Sequence, residues 1–102
     1  MFPFRLFATT GDIVAQIDSL DGECVVVSRN LEGRGAMCLA VDPHDPERIF
    51  VGTFDRGVYR SRDGGGVWES VGAGMADARV LSIAISPCER VNGLSVVYAG
   101  TE

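Results

Sequence analysis

The chain has 102 residues, 46% of them hydrophobic, and carries a net charge of −5. That length suits one small domain, and no apolar run approaches the ~20 residues needed to cross a bilayer as a helix. All nine basic residues are arginine and they form no cluster, so the composition argues against nucleic-acid binding and against adhesion to an anionic membrane.

The opening Met1-Phe2-Pro3-Phe4-Arg5 has an early proline and no apolar stretch of signal-peptide length. The three cysteines, Cys24, Cys38 and Cys88, are odd in number and show no CxxC spacing. Free thiols in a reducing, cytoplasmic setting are the expectation.

In chain order, period-2 alternation bounded by Gly, Pro, Asn, Asp and Ser predicts strands at 5–10, 12–17, 24–29, 37–42, 48–53, 57–61, 67–71, 80–86 and 96–101. No window carries a helical period. The elements also repeat. Met37-Cys38-Leu39-Ala40-Val41-Asp42-Pro43 matches Leu81-Ser82-Ile83-Ala84-Ile85-Ser86-Pro87, 44 residues later. Ile49-Phe50-Val51-Gly52-Thr53 matches Val97-Tyr98-Ala99-Gly100-Thr101 at 48 residues, and Leu6-Phe7-Ala8-Thr9-Thr10 at 43. Gly52 and Gly100 would weaken an isolated strand, so they imply close approach by a neighbouring chain segment. Four short strands per ~40–45 residues is the period of a β-propeller blade.

One motif is specific. Ser61-Arg62-Asp63-Gly64-Gly65-Gly66-Val67-Trp68 fits Ser-x-Asp-x-Gly-x-x-Trp and resembles the Asp-box, or bacterial neuraminidase repeat. With Asp42-Pro43 and Val51-Gly52-Thr53 before it, the segment 37–71 is similar to a whole blade of sialidases, xyloglucan-active glycoside hydrolases, sortilin-type receptors and photosystem II assembly factors. The resemblance implies an all-β fold of antiparallel four-stranded blades. About two and a half blades are expected, forming a partial propeller over 1–102: strands B–C–D of a first blade at 5–29, a complete blade at 37–71, and strands A–B of a third at 80–102. It also implies that Ser61, Asp63, Gly65 and Trp68 are structural. Physically, the short acidic side chain mimics a turn by accepting backbone N–H bonds. Ser19 and Asp21 mark an eroded copy, 42 residues upstream, with Glu23 and Val26 in place of the glycine and the tryptophan.

In such a blade the Asp-box turn lies at one end of the sheets. The opposite end would carry Asp12, Asp55 and Arg56 in B–C loops, and Glu32, Arg34, Asp77 and Arg79 in D–A loops. These alternating charges are the candidate ligand face, suited to a carbohydrate or a protein loop. No catalytic residue, metal ligand or cofactor is expected. Gly64-Gly65-Gly66 lacks the lysine and helix of a phosphate loop. The lone His44 assembles no triad. Asp42, Asp45 and Glu47 are close in sequence, but without EF-hand spacing, and flanking prolines explain that loop as a strand connector. Phe4-Arg5-Leu6-Phe7 resembles only the first half of the sialidase Phe-Arg-Ile-Pro motif. The expected function is a non-catalytic repeat module for scaffolding or binding, part of a larger propeller. The alternatives are a piece of a xyloglucanase- or sialidase-like glycoside hydrolase, inactive alone, and a partial propeller that self-assembles through open sheet edges.

Overall fold

Alternating large and small apolar residues commit nearly the whole chain to extended backbone, and only the pairing partners remain to be chosen. The computed structural model describes residues 4–20, 22–72 and 78–102, and among them there are strands and no helix. It follows that no helix there is long and apolar enough to cross a membrane. In chain order the strands are β1 (Phe4–Thr9), β2 (Val14–Leu20), β3 (Glu23–Asn30), β4 (Ala36–Asp42), β5 (Asp45–Thr53), β6 (Val58–Ser61), β7 (Trp68–Val71), β8 (Val80–Val91) and β9 (Leu94–Thr101). They form three antiparallel sheets: sheet 1, β1-β2-β3; sheet 2, β4-β5-β6-β7; and sheet 3, β8-β9. Among the described residues no sheet closes on itself.

The sheets share one register. In sheet 2, Ala36 pairs with Thr53, Cys38 with Gly52, Ala40 with Phe50 and Val41 with Ile49. In sheet 3, Val80 pairs with Thr101, Ser82 with Gly100, Ala84 with Tyr98 and Ile85 with Val97. These positions of β4 map onto β8 at 44 residues, and those of β5 onto β9 at 48. Even the irregularity is repeated, lying between Ala36 and Cys38 in one hairpin and between Val80 and Ser82 in the other. Sheet 1 obeys the same rule. Leu6↔Ile17, Phe7↔Gln16 and Thr9↔Val14 correspond to Ile49↔Ser61, Phe50↔Arg60 and Gly52↔Val58. Backbone bonds outside the ladders repeat too: Phe54 N donates to Gly35 O at 2.9 Å, and Glu102 N to Arg79 O at 3.2 Å.

Two strands run past the ends that the sequence predicts. The β8–β9 hairpin is longer than 80–86 and 96–101, because Asn92 and Gly93, with φ of 53° and 77°, make a tight two-residue turn that zips Val91 to Leu94. Likewise β2 runs on to Leu20, which pairs with Glu23, so Ser19 and Leu20 belong to the strand and not to the turn. Asp21 itself lies outside the described residues.

The core lies between the sheets. Val14, with Phe7 and Leu31, packs on Ala36, Ile49, Val51, Leu39 and Trp68, which joins sheet 1 to sheet 2. On the other face of sheet 2, Phe50, Val58, Cys38 and Val71 meet Val80, Ile83, Ile85 and Val97 of sheet 3. Sheet 2 is therefore apolar on both faces, as a sandwiched sheet must be. The expected close approach at glycine is real at Gly52. A Cβ there would lie 2.5 Å from Cys38 Sγ and 2.6 Å from Val80 Cγ1.

Candidate functional site: two loop-bearing ends

The hairpin topology sorts the loops between two ends of the stacked sheets. At one end lies the turn Arg62–Val67. Ser61, fully buried, is its hub. The Ser61 hydroxyl donates to Asp63 Oδ1 at 2.8 Å and accepts from Gly65 N at 2.9 Å. Asp63 Oδ1 also accepts from Gly66 N and Val67 N, each at 3.0 Å. The Val67 amide first, then the Ser61 hydroxyl, hold the Asp63 carboxyl below its ordinary range, against the opposing effect of desolvation. Gly64 and Gly65, at φ of 80° and 104°, take backbone conformations that an L side chain resists. Trp68 Nε1 donates to Gly65 O at 3.0 Å, while its ring joins the core between sheets 1 and 2. Gly64 N donates to Glu47 O at 2.9 Å, which fixes the turn to the β4–β5 connection.

Among the described residues the eroded copy does not keep the motif's place in the ladder. Ile17 pairs with Val26 as Ser61 pairs with Trp68, so register places Val26 at the tryptophan position but puts Ser19 two residues past the serine position. Ser19 sits buried in β2 opposite Cys24. The two extra residues of β2 account for the offset.

A second buried polar centre at this end is one the sequence reading did not assemble. Asp42 is 1% exposed. Its Oδ1 accepts from His44 N at 2.8 Å and from Ser95 Oγ at 3.0 Å, and its Oδ2 from Arg48 Nη1 at 3.0 Å. Burial pushes the Asp42 carboxyl up, but the His44 amide, the Ser95 hydroxyl and the Arg48 charge together bring it below its ordinary value of 3.8. His44 has Nε2 2.6 Å from Pro87 O. These bonds tie sheet 2 to sheet 3. One sequence signal existed: Ser86 stands where Asp42 does, and its hydroxyl accepts from Cys88 N at 3.3 Å as Asp42 accepts from His44 N.

Two clefts open near this end. One, of about 400 Å³, is lined by Arg5, Phe7, Val41, Pro46, Glu47, Asp63 and Gly64. The other, of about 210 Å³, is lined by Arg60, Arg62, Asp63, Val67 and Glu69. Glu69 Oε1 accepts from Arg60 Nη2 at 2.6 Å and from Arg62 Nε at 3.1 Å, so a single carboxylate serves two guanidinium groups. In the larger cleft Arg5 is held by a two-point bond to Asp18, at 2.8 and 3.0 Å.

The opposite end gathers most of the candidate ligand-face residues. Asp12 Oδ1 accepts from Gly33 N at 2.8 Å, which brings the β1–β2 loop to the β3–β4 loop beside Glu32 and Arg34. Arg34 Cζ lies 5.7 Å from the Tyr59 ring centroid. Arg79 Cζ lies 4.0 Å from the Phe54 ring centroid, and its Nη1 bonds Glu102 Oε2 at 2.6 Å. Thr53, fully buried, shapes the β5–β6 loop: its hydroxyl donates to Gly57 O at 2.7 Å and accepts from Arg56 N at 2.9 Å. The side chains of Glu32, Asp55 and Arg56 are exposed, and the structure does not join them to one another. Asp77 lies outside the described residues. Thr53 and Phe54 were missed as parts of this end, although threonine recurs at Thr10, Thr53 and Thr101 of the repeat. Thr10 Oγ1 likewise accepts from Ile13 N, at 3.3 Å.

No protein-family model, no curated protein and no solved structure matches the chain.

Proposed function

We propose that the chain is a non-catalytic repeat module of Asp-box β-propeller type, serving as a scaffold or binding unit. One observation carries the reading: three successive sheets share a single pairing register, and sheets 2 and 3 share even the same irregularity. A sheet that stacks on its own repeat builds an extendable support, and variable loops at its ends supply recognition. The end that carries Asp12, Arg34, Asp55, Arg56 and Arg79 is the binding end in this reading. Its exposed acids and guanidinium groups, with Tyr59 and Phe54 beneath two of the arginines, suit the hydroxyls of a carbohydrate or a polar protein loop.

The hydrolase alternative needs two carboxylates facing each other across the bond to be cut. In the two clefts described, Asp63 is committed to turn amides and Glu69 to arginines. The test combines turnover and binding. Xyloglucan and an aryl sialoside are each incubated with the chain, and polysaccharides and glycan arrays are screened for retention. The module reading expects no released reducing ends, and retention that falls in an Arg34→Ala/Arg56→Ala variant of unchanged melting temperature. Turnover that disappears on Asp55→Asn would refute it.

A further inference from the structure

We infer that the chain associates head to tail with copies of itself, the outer face of sheet 3 in one copy receiving the outer face of sheet 1 in the next. The inference deepens the repeat-module reading and rests on it. Its basis is that the two inter-sheet packings inside one copy are the same packing. Phe7 and Val14 of sheet 1 meet Ala36, Leu39 and Ile49 of sheet 2. At equivalent positions Phe50 and Val58 of sheet 2 meet Val80, Ile83 and Val97 of sheet 3. Each sheet thus has a donating face, marked by Phe7 or Phe50, and an accepting face, marked by Ile49 or Val97.

Among the described residues, each end sheet then has one such face left over. On sheet 3 the third member of the donating set is Tyr98, 54% exposed, paired across the ladder with Ala84 and one step from Gly100 and Ser82. On sheet 1 the third member of the accepting set is Leu6, 52% exposed, with Val26 at the Trp68 position, 48% exposed, beside it across Ile17. Phe4, at 42%, extends the patch. Contiguous exposed apolar residues such as Phe4, Leu6 and Val26 mark an interaction surface, and on sheet 3 the Tyr98 ring, its hydroxyl bonded to Glu89 at 2.9 Å, stands beside the small residues Ala84, Gly100 and Ser82. Here the two faces are not alike but are successive terms of one repeat, so the contact that matches them is heterologous. It continues the stacking already present twice within the copy. A heterologous contact forms a ring if its rotation closes and a filament if it does not.

Light scattering coupled to size exclusion, over a concentration series, tests this on the whole chain. The inference expects masses above 10.9 kDa that rise with concentration. Leu6→Arg and Tyr98→Arg, both at exposed positions, should each reduce the mass to that of a monomer with an unchanged circular dichroism spectrum. An equimolar mixture of the two variants should give a dimer, because the first keeps an intact sheet 3 face and the second an intact sheet 1 face, while the two arginine faces repel. A wild-type chain that is a folded monomer at every concentration overturns the inference whatever the variants do, and leaves the repeat reading standing. An assembly that survives both substitutions, or a mixture that does not dimerise when both variants are folded, also overturns it.

Discussion

Val80 occupies the space that a side chain at position 52 would need: a Cβ on Gly52 would meet Val80 Cγ1 at 2.6 Å and Val80 Cβ at 2.9 Å. At the other inter-sheet contact the sizes are exchanged. Thr9 stands where Gly52 does, and Ala36 where Val80 does; the Thr9 hydroxyl donates to Met37 O at 3.0 Å. A small residue on one sheet therefore faces a larger one on the next, in either order, which keeps the sheets at similar separation.

Gly52→Ala should cost about 1–3 kcal/mol through overpacking, and Val80→Ala about 2 kcal/mol through lost burial. The two changes made together remove the Val80 Cγ1 clash and leave the approaches of Cys38 Sγ and Val80 Cβ, so the double variant should recover part of the summed losses, about 1 kcal/mol. Urea denaturation of all four chains checks this. Simple additivity would show that position 52 is small for another reason.

The Ser61 hydroxyl, buried and bonded on both sides, makes a second prediction. Ser61→Ala leaves the Gly65 amide and the Asp63 carboxylate without their common partner, a loss of about 1–3 kcal/mol. The effect should be global, with a lower denaturation midpoint and no separate change in any ligand affinity. A variant that keeps wild-type stability but loses binding would move this turn from support to recognition.

Much of the fold was legible because strand formation here is local. Each strand expected from alternation exists, displaced by a few residues at its ends, and Gly52 announced a close neighbour, whereas a Cβ on the exposed Gly100 would meet only the Ser82 side chain of its own hairpin. What was illegible was of two kinds. The Asn92-Gly93 pair stands in the sequence, but the change of spacing from 44 to 48 residues does not by itself say that the added residues extend a hairpin. The Asp42–Ser95 bond joins residues 53 apart through the stacking of two sheets, and no local pattern encodes that. The candidate ligand end shows the same division. Hairpin topology sorts its described loops to one end, but which side chains meet there, such as Arg79 on Phe54, depends on how loops from different hairpins come together.

Asp42 predicts the acid limb of stability. Its carboxyl in the folded chain lies below the ordinary value of 3.8, so its contribution is fully present above that pH. It is lost as pH falls through the folded value. Asp42→Asn keeps the shape but strands Arg48 without its counter-charge, at a cost of about 3 kcal/mol near neutrality. That cost should shrink on acidification, so the variant's stability curve converges on the wild-type curve at low pH. Curves that stay parallel through the acid range would show that Asp42 is not linked to folding through its charge. Asp18, Asp63 and Glu69 are lowered as well and remain in both chains, so the limb should flatten without vanishing.

The three thiols should separate by rate. Cys24 and Cys88 are exposed, whereas Cys38 is partly covered and faces Val80 O at 3.6 Å. Burial pushes the Cys38 thiol above its ordinary 9.0, outweighing a lowering contact from the Gly52 backbone. Since the thiolate is the reactive form, a brief pulse of iodoacetamide at neutral pH should alkylate Cys24 and Cys88 and leave Cys38 largely free, as peptide mass spectrometry would show. In denaturant all three should react alike. Gly52→Ala, by forcing Cys38 Sγ away from its seat against sheet 3, should raise the Cys38 rate in the folded chain. If Cys38 reacts as fast as the other two in the wild type, the contact between sheets 2 and 3 does not cover it in solution.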